Sequence, residues 1–243
     1  MSSEPGFKLI ERPISRRKNR NSKNLWKEKS AEDYKNIIDN LQTVIKNSPY
    51  YAALLKALGA IPGDSVKYIR CLALGSPTST TGIHCQYQLA LLIILLDHFK
   101  LAAKDVTAWD PVFESKDLDL LKLYGFDVVE EVTPGDGIPD MTEWLYYMPH
   151  APHILTERVL KAVDSLPRGV ILGNDLLTFD TRVIDEGEES TKDIAFVRSI
   201  SKQLVEGDKD SNWAIEQIPN FPLKNANWMT AFYDMSVHIK HTR

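Results

Sequence analysis

The feature that most constrains this chain is a rhythm that starts at Tyr68, where short, near-continuous apolar runs alternate with helical repeats. Tyr68 to Leu74 is apolar on both faces of an extended chain, which is the pattern of a strand buried on two sides in a parallel sheet. The loop Gly75 to Gly82 follows and delivers a long helix through Gln88, Leu89, Leu92, Leu95 and Leu96. Val106 to Trp109 reads as a second strand ending at Asp110 and Pro111, then a short helix with Leu118, Leu121 and Leu123 stops at Gly125. Asp127 to Val132 reads as strand three, Trp144 to Met148 as strand four, Ile154 to Leu166 as a helix, and Val170 to Leu172 as strand five. The order βαβαβ predicts an α/β, Rossmann-like fold with a mostly parallel sheet flanked by helices.

Two helices are expected ahead of the sheet. Ser30 and Asp33 form a capping-box-like pair before Tyr34, Ile37, Ile38, Leu41 and Ile45, and a second helix opens at Ser48 and Pro49 and closes at Gly59. Asp180 to Asp193 is acid-rich and lacks a period, so it reads as a loop or insertion. Ile194 to Val205 is expected to be helical, and Trp213 to Ile218 and Ala231 to His238 to give two further strands, antiparallel at the sheet edge.

Charge divides the chain unevenly. Residues 1–29 carry nine Lys/Arg against three acids, leaving twenty against thirty for the remainder. The expectation is a basic, mobile arm over 1–29 and a single acidic domain over 30–243, with the arm available to protein partners. The acidic body argues against nucleic-acid binding. The apolar run Leu89 to Leu96 stops at Asp97, short of the roughly 20 residues that a bilayer demands, so no membrane span is expected. Two cysteines, Cys71 and Cys85, make no disulfide framework and suit a reducing cytoplasm or nucleus.

In an open parallel sheet, ligands bind beyond the carboxyl ends of the strands. Four segments fall there: Gly75 to Gly82, Asp110 to Phe113, Met148 to His153, and Gly173 to Asp175. The Gly75–Gly82 loop, with Ser76, offers hydroxyls and main-chain N–H groups to an anionic or polar ligand, or is a tight packing turn; it lacks a Walker lysine, and Ala73 stands where a dinucleotide fingerprint wants its first glycine. Asp110 can accept hydrogen bonds from ribose hydroxyls, or start a turn with Pro111. Together, Gly75 and Asp110 are similar to the glycine and acidic signposts of an adenosyl-methionine methyltransferase core, an analogy made at the level of fold. His150 and His153 stand three apart and can face one metal or heme iron, or set a rigid loop and cap a helix. Cys71 reads as an inert core thiol, whereas Cys85 opens a helix, where its pKa can be lowered. No Ser-His-Asp order and no paired-carboxylate signature is present.

The segments taken in order, Leu74-Gly75-Ser76, Gln88-Leu89-Ala90, Asp110-Pro111-Val112-Phe113, Gly125, Met148-Pro149-His150, Leu172-Gly173-Asn174 and the ending Phe232 to His238, resemble the sensitivity-to-red-light-reduced family. The resemblance implies a regulatory protein: plant members act in phytochrome signalling and the circadian clock, fungal members in microtubule-linked benomyl resistance, and animal members in heme metabolism. A fungal-type, microtubule-related role is one placement. The candidate ligand surface at the strand ends comprises Gly75, Ser76, Gln88, Asp110, Pro111, Phe113, Met148, His150, Asn174 and Asp175, and the resemblance gives no catalytic residue to carry over. Ala73, Ala151 and Asp175 depart from the family, which often has Gly, Cys and Ser there; the missing Cys weakens a Cys-and-His heme site. The leading expectation is a non-enzymatic regulator; the rival is a methyltransferase using adenosyl-methionine, and a third is a heme sensor through His150 or His153.

Overall fold

The computed structural model describes residues 28–63, 65–129, 141–178, 194–207, 211–221, 228 and 231–241. The N-terminal pair is α1 (Ala31–Lys46) and α2 (Pro49–Leu58). Ser30 caps α1 by accepting from the Asp33 N–H while Asp33 accepts from the Ser30 N–H, which supplies partners to two donors that the first turn leaves open. Ser48 caps α2 by accepting the Tyr51 N–H, with Pro49 at the first helical position, where a missing N–H costs nothing.

The sheet begins with β1 (Tyr68–Leu72) and β2 (Val106–Trp109), joined through α3 (Ile83–Phe99). Next come α4 (Ser115–Leu123), β3 (Asp127–Val128), β4 (Trp144–Met148), α5 (His153–Asp164) and β5 (Gly169–Asn174). The last elements are α6 (Ala195–Glu206), β6 (Trp213–Gln217) and β7 (Met235–Lys240). Among the described residues the seven strands run in the order β3-β2-β1-β4-β5-β7-β6. The five on the β3 side are parallel to their neighbours, whereas β7 is antiparallel to both β5 and β6. This is a Rossmann-like sheet whose strand order reverses between β1 and β4, the place where doubly wound sheets open a crevice.

Alternation along β4 shows how the layers form. Leu145 and Tyr147 join the core under α1, α2 and α3, while Trp144, Tyr146 and Met148 join the core under α5 and α6. Both faces are therefore covered, which is why the strands read as unbroken apolar runs. The middle of α3 is buried on all sides, as expected of the Leu89–Leu96 run, and no helix among the described residues is long and apolar enough to cross a membrane.

Several boundaries differ from the sequence reading. β1 ends at Leu72, because Ala73 takes a left-handed conformation (φ 56°) that turns the chain out of the sheet. β3 is confined to Asp127–Val128, and positions 130–132 lie outside the described residues. The C-terminal strand starts at Met235 rather than Ala231, since Ala231 and Phe232 are helical and Asp234 makes a left-handed turn (φ 50°). Most of the arm, residues 1–27, and the acid-rich segment Asp180 to Asp193 also fall outside the described residues.

Candidate functional site

The segments expected at the carboxyl ends of the strands divide into three places. The first is the crevice above the switch point, a cleft of about 520 Å³. It is walled by Leu74 and Gly75 after β1, Trp109 to Val112 after β2, Pro149 and His150 after β4, and the first turns of α3 and α5. Of the candidate residues, Gly75, Gln88, Asp110, Pro111 and His150 line it.

Asp110 organises this cleft. Its Oδ2 accepts the Gly75 N–H at 2.8 Å and its Oδ1 accepts the Val112 N–H at 3.0 Å, so one side chain ties the end of β2 to the turn after β1. Both expected uses of Asp110 thus meet in one residue: it starts its own turn, and it stands in the wall of the cleft. Each carboxylate oxygen can take two hydrogen bonds, which leaves one acceptor position on each.

On the β4 side, the Gln88 amide donates to the Ala231 carbonyl at 3.2 Å, and His150 Nε2 meets the same oxygen at 3.2 Å. A carbonyl only accepts, so the contact requires the Nε2–H form of the imidazole. The Gln88 carbonyl in turn accepts from the Tyr147 hydroxyl at 3.0 Å. His150 therefore anchors the segment before β7 through Nε2. His153 is the first residue of α5, half-buried, and among the described residues no three His, Cys, Asp or Glu side chains gather as a metal group.

The second place is a polar hollow of about 660 Å³ between the Gly75–Gly82 loop and the start of α4. The sequence left this loop open between a ligand cradle and a packing turn, and its hydrogen bonds describe the turn. Main-chain N–H groups of Gly75, Thr78, Ser79 and Gly82 go to Asp110, Asp117, Ser76 and Ser79 within the fold. Asp117, fully buried, accepts from the Ser76 hydroxyl, from the N–H and hydroxyl of Thr78, and from the Glu114 N–H. Sequence reasoning missed Asp117; its position three residues after Glu114, ahead of an apolar repeat, is the capping signal that marks it.

The third place is a cavity of about 10 Å³ lined by Met148, Asn174, Leu176 and His238, among others, and so separate from the cleft. Asn174 donates to the Ala151 carbonyl at 2.8 Å. Asp175 accepts from the Leu177 N–H and from the Gln217 side chain, fastening β5 to β6 across β7. Met148, Asn174 and Asp175 are thus structural supports one layer away, and Phe113 packs against the main core instead of facing the cleft. The cleft thus gathers Gly75, Gln88, Asp110, Pro111 and His150, while these four lie apart from its lining, because side chains at a strand end alternate in direction and only one face of each opens to the crevice.

For Cys85 the helix start had left open a lowered pKa. Cys85 sits in the first turn of α3, but its thiol is buried against Gly75, and that burial, reinforced by the nearby Asp110 carboxylate, pushes its pKa up to about 12. Desolvation outweighs the helix terminus, so the thiol stays protonated and unreactive at neutral pH. Cys71 lies in β1 and is buried, with its pKa raised for the same reason.

The profile of the SRR1 domain matches residues 41–239, most of the described fold. A mouse SRR1-like protein is 24% identical over 124 residues, which is 50% of either chain, so the chain spans about half the length of this curated relative within the match. Among solved structures, the plantazolicin methyltransferase BpumL in complex with a pentazolic desmethylPZN analog and SAH is 9% identical, with 88% of this chain and 95% of that chain covered, at a TM-score of 0.38. Cofactor-bound Rv0187 from MTB is 13% identical, with 87% and 97% covered, at a TM-score of 0.39. Overlaps this loose carry no argument about chemistry.

Proposed function

This chain belongs to the SRR1 domain family, and we propose that it is a methyltransferase-like protein holding adenosyl-methionine in the cleft above the β1/β4 switch point. One observation carries the reading. Asp110, at the end of β2, is fixed by two main-chain N–H groups and keeps one acceptor position on each oxygen, a match for the two neighbouring hydroxyls of a ribose. Trp109, Pro111 and Val112 give the cleft an apolar wall beside this carboxylate, suited to the flat face of a base. The left-handed turn at Gly75 (φ 72°) brings backbone to the cleft without a side chain in the way. Adenosyl-methionine, when bound, supplies an electrophilic methyl group on a sulfonium sulfur.

A second reading, a regulator that binds the same ligand without turnover, is favoured by the β4 side of the cleft. There the Gln88 amide and His150 Nε2 are both committed to the Ala231 carbonyl, leaving structure where an acid or base would serve. The microtubule, circadian and heme roles attached to the family resemblance gain nothing from this geometry. A heme titration of wild type and His150→Ala, followed by absorbance, tests the last of them.

Thermal denaturation with adenosyl-homocysteine tests the main reading. A ligand at a hundred times its Kd stabilises the folded state by about 2.7 kcal/mol. Wild type is expected to shift upward and Asp110→Ala to lose the shift. The absence of a shift at millimolar ligand removes the cofactor from the cleft.

A further inference from the structure

One cation of the cleft has no place in the account so far. Arg158 lies on α5 one turn beyond Ile154 and three residues beyond Leu155, spacings that set all three side chains along one stripe of the helix. All three line the cleft. The neighbouring Glu157 is committed elsewhere: it is buried, accepts the N–H groups of Phe196 and Val197 at 3.1 and 2.7 Å, and pairs with Lys161 at 2.7 Å. Arg158 is exposed and, among the described residues, pairs with no carboxylate.

The rest of the wall makes this cation conspicuous. Among the described residues Asp110 is the single acid lining the cleft, and its two oxygens already hold main-chain N–H groups. Ile154 and Leu155 share the Arg158 stripe of the helix, and Ile154 and Val112, both more than half exposed, line the same cleft. Exposed apolar side chains sharing a cleft with a guanidinium that no described carboxylate pairs are poorly served by water alone. They are complementary to a body of carbon that ends in a planar anion, which the guanidinium fork can grip with two parallel hydrogen bonds.

We infer that Arg158 is an anion-reading residue of this cleft, and that the ligand there carries a carboxylate on an apolar or aromatic body. Two sources have this chemistry: the amino-acid carboxylate of the adenosyl-methionine proposed above, and a separate small carboxylic acid lying against Ile154. The second source does not depend on the adenosyl reading.

The test uses the full chain and the variants Arg158→Gln and Arg158→Lys, with folding checked by far-UV circular dichroism. Binding of four probes is measured by calorimetry: adenosyl-homocysteine, methylthioadenosine (which lacks the carboxylate), benzoate and benzamide. If the carboxylate belongs to the cofactor, Arg158→Gln weakens adenosyl-homocysteine by roughly tenfold or more, as expected for one lost charge-assisted pair, and leaves methylthioadenosine unchanged. If it belongs to a second ligand, wild type binds benzoate at least tenfold more tightly than benzamide, and Arg158→Gln erases that preference. Arg158→Lys, which keeps the charge but not the fork, restores only part of either effect. Equal affinities for wild type and Arg158→Gln across all four probes overturn the assignment. So does the failure of every probe to bind. Loss of adenosyl-homocysteine in Asp110→Ala with an intact benzoate preference separates the fate of this inference from that of the adenosyl site.

Discussion

Lowering the pH from 7 to 5 is expected to weaken this fold through one side chain, His238. It sits in the middle of β7, 2% exposed, with Nε2 accepting the Leu176 N–H at 3.4 Å. Burial drives its pKa down to about 4, against the partial opposition of the Asp175 carboxylate. In the unfolded chain the same imidazole titrates near 6.5. Its folded pKa is depressed, so the neutral ring contributes stability that is intact above about pH 6.5 and is lost as pH falls toward 4. Over the whole window the loss approaches about 3 kcal/mol, and between pH 7 and pH 5 it is about 2 kcal/mol. That is a sizeable part of the 5–15 kcal/mol by which domains are held together. The assay is urea denaturation of wild type and His238→Gln at both pH values. Other titrating groups act alike in the two proteins, so the difference between their pH profiles isolates His238. With an m-value of about 3 kcal/mol/M, wild type should lose about 0.6 M more in midpoint than the variant on going from pH 7 to pH 5. Parallel profiles would show that the imidazole is charged in the folded state, and the burial argument would fail.

Two other perturbations test the framework of the site. Gly75 has φ 72°, and a Cβ there would lie 2.5 Å from the Cys85 sulfur; Gly75→Ala should cost about 2 kcal/mol or more, of which about 1 reflects the left-handed backbone. Combining it with Cys85→Ala should recover the steric part, seen as a coupling of about 1 kcal/mol in a double-mutant cycle, and strict additivity would refute the contact. Asp117→Ala leaves several loop donors without their shared acceptor and should destabilise by about 3 kcal/mol in chemical denaturation; a change under 1 kcal/mol would mean that the loop is held by something else.

Much of the architecture was legible because it rests on local chemistry. Strands covered on both faces need apolar side chains in succession, and Val106 to Trp109 and Trp144 to Met148 coincide with β2 and β4. The caps at Ser30 and Ser48 are short-range and mark where α1 and α2 begin. The antiparallel pair at the C-terminal side of the sheet was expected and is present, although a left-handed Asp234 delays β7 to Met235. The site was less legible. Asp110 and Gly75 could be singled out from their places after strands, but their hydrogen bond joins positions 35 residues apart. Asp117 gathers donors from about 40 residues upstream, and no local pattern encodes that. Arg158 was missed because a charged residue on a helix reads as solvated surface; only the packing of Glu157 against α6 turns Arg158 toward the cleft. For Cys85 the helix terminus was visible in sequence, while the Gly75 backbone that buries the thiol was not.

The placement of β7 also bears on how the chain assembles as it is made. It is the last of the described strands in chain order, yet it lies inside the sheet with every residue buried, between β5 and the outermost β6. A nascent chain that has completed β6 therefore has nowhere to put it: β6 reaches the sheet only through a strand that has not yet been synthesised. Until β7 emerges, the edge of β5 stays open with the apolar Val170, Ile171 and Leu172 along it, a template for any other extended segment. The last of the described strands is the one that joins β6 to β5, so assembly of this half of the sheet waits on β7 while the strands and loops that line the cleft are made earlier.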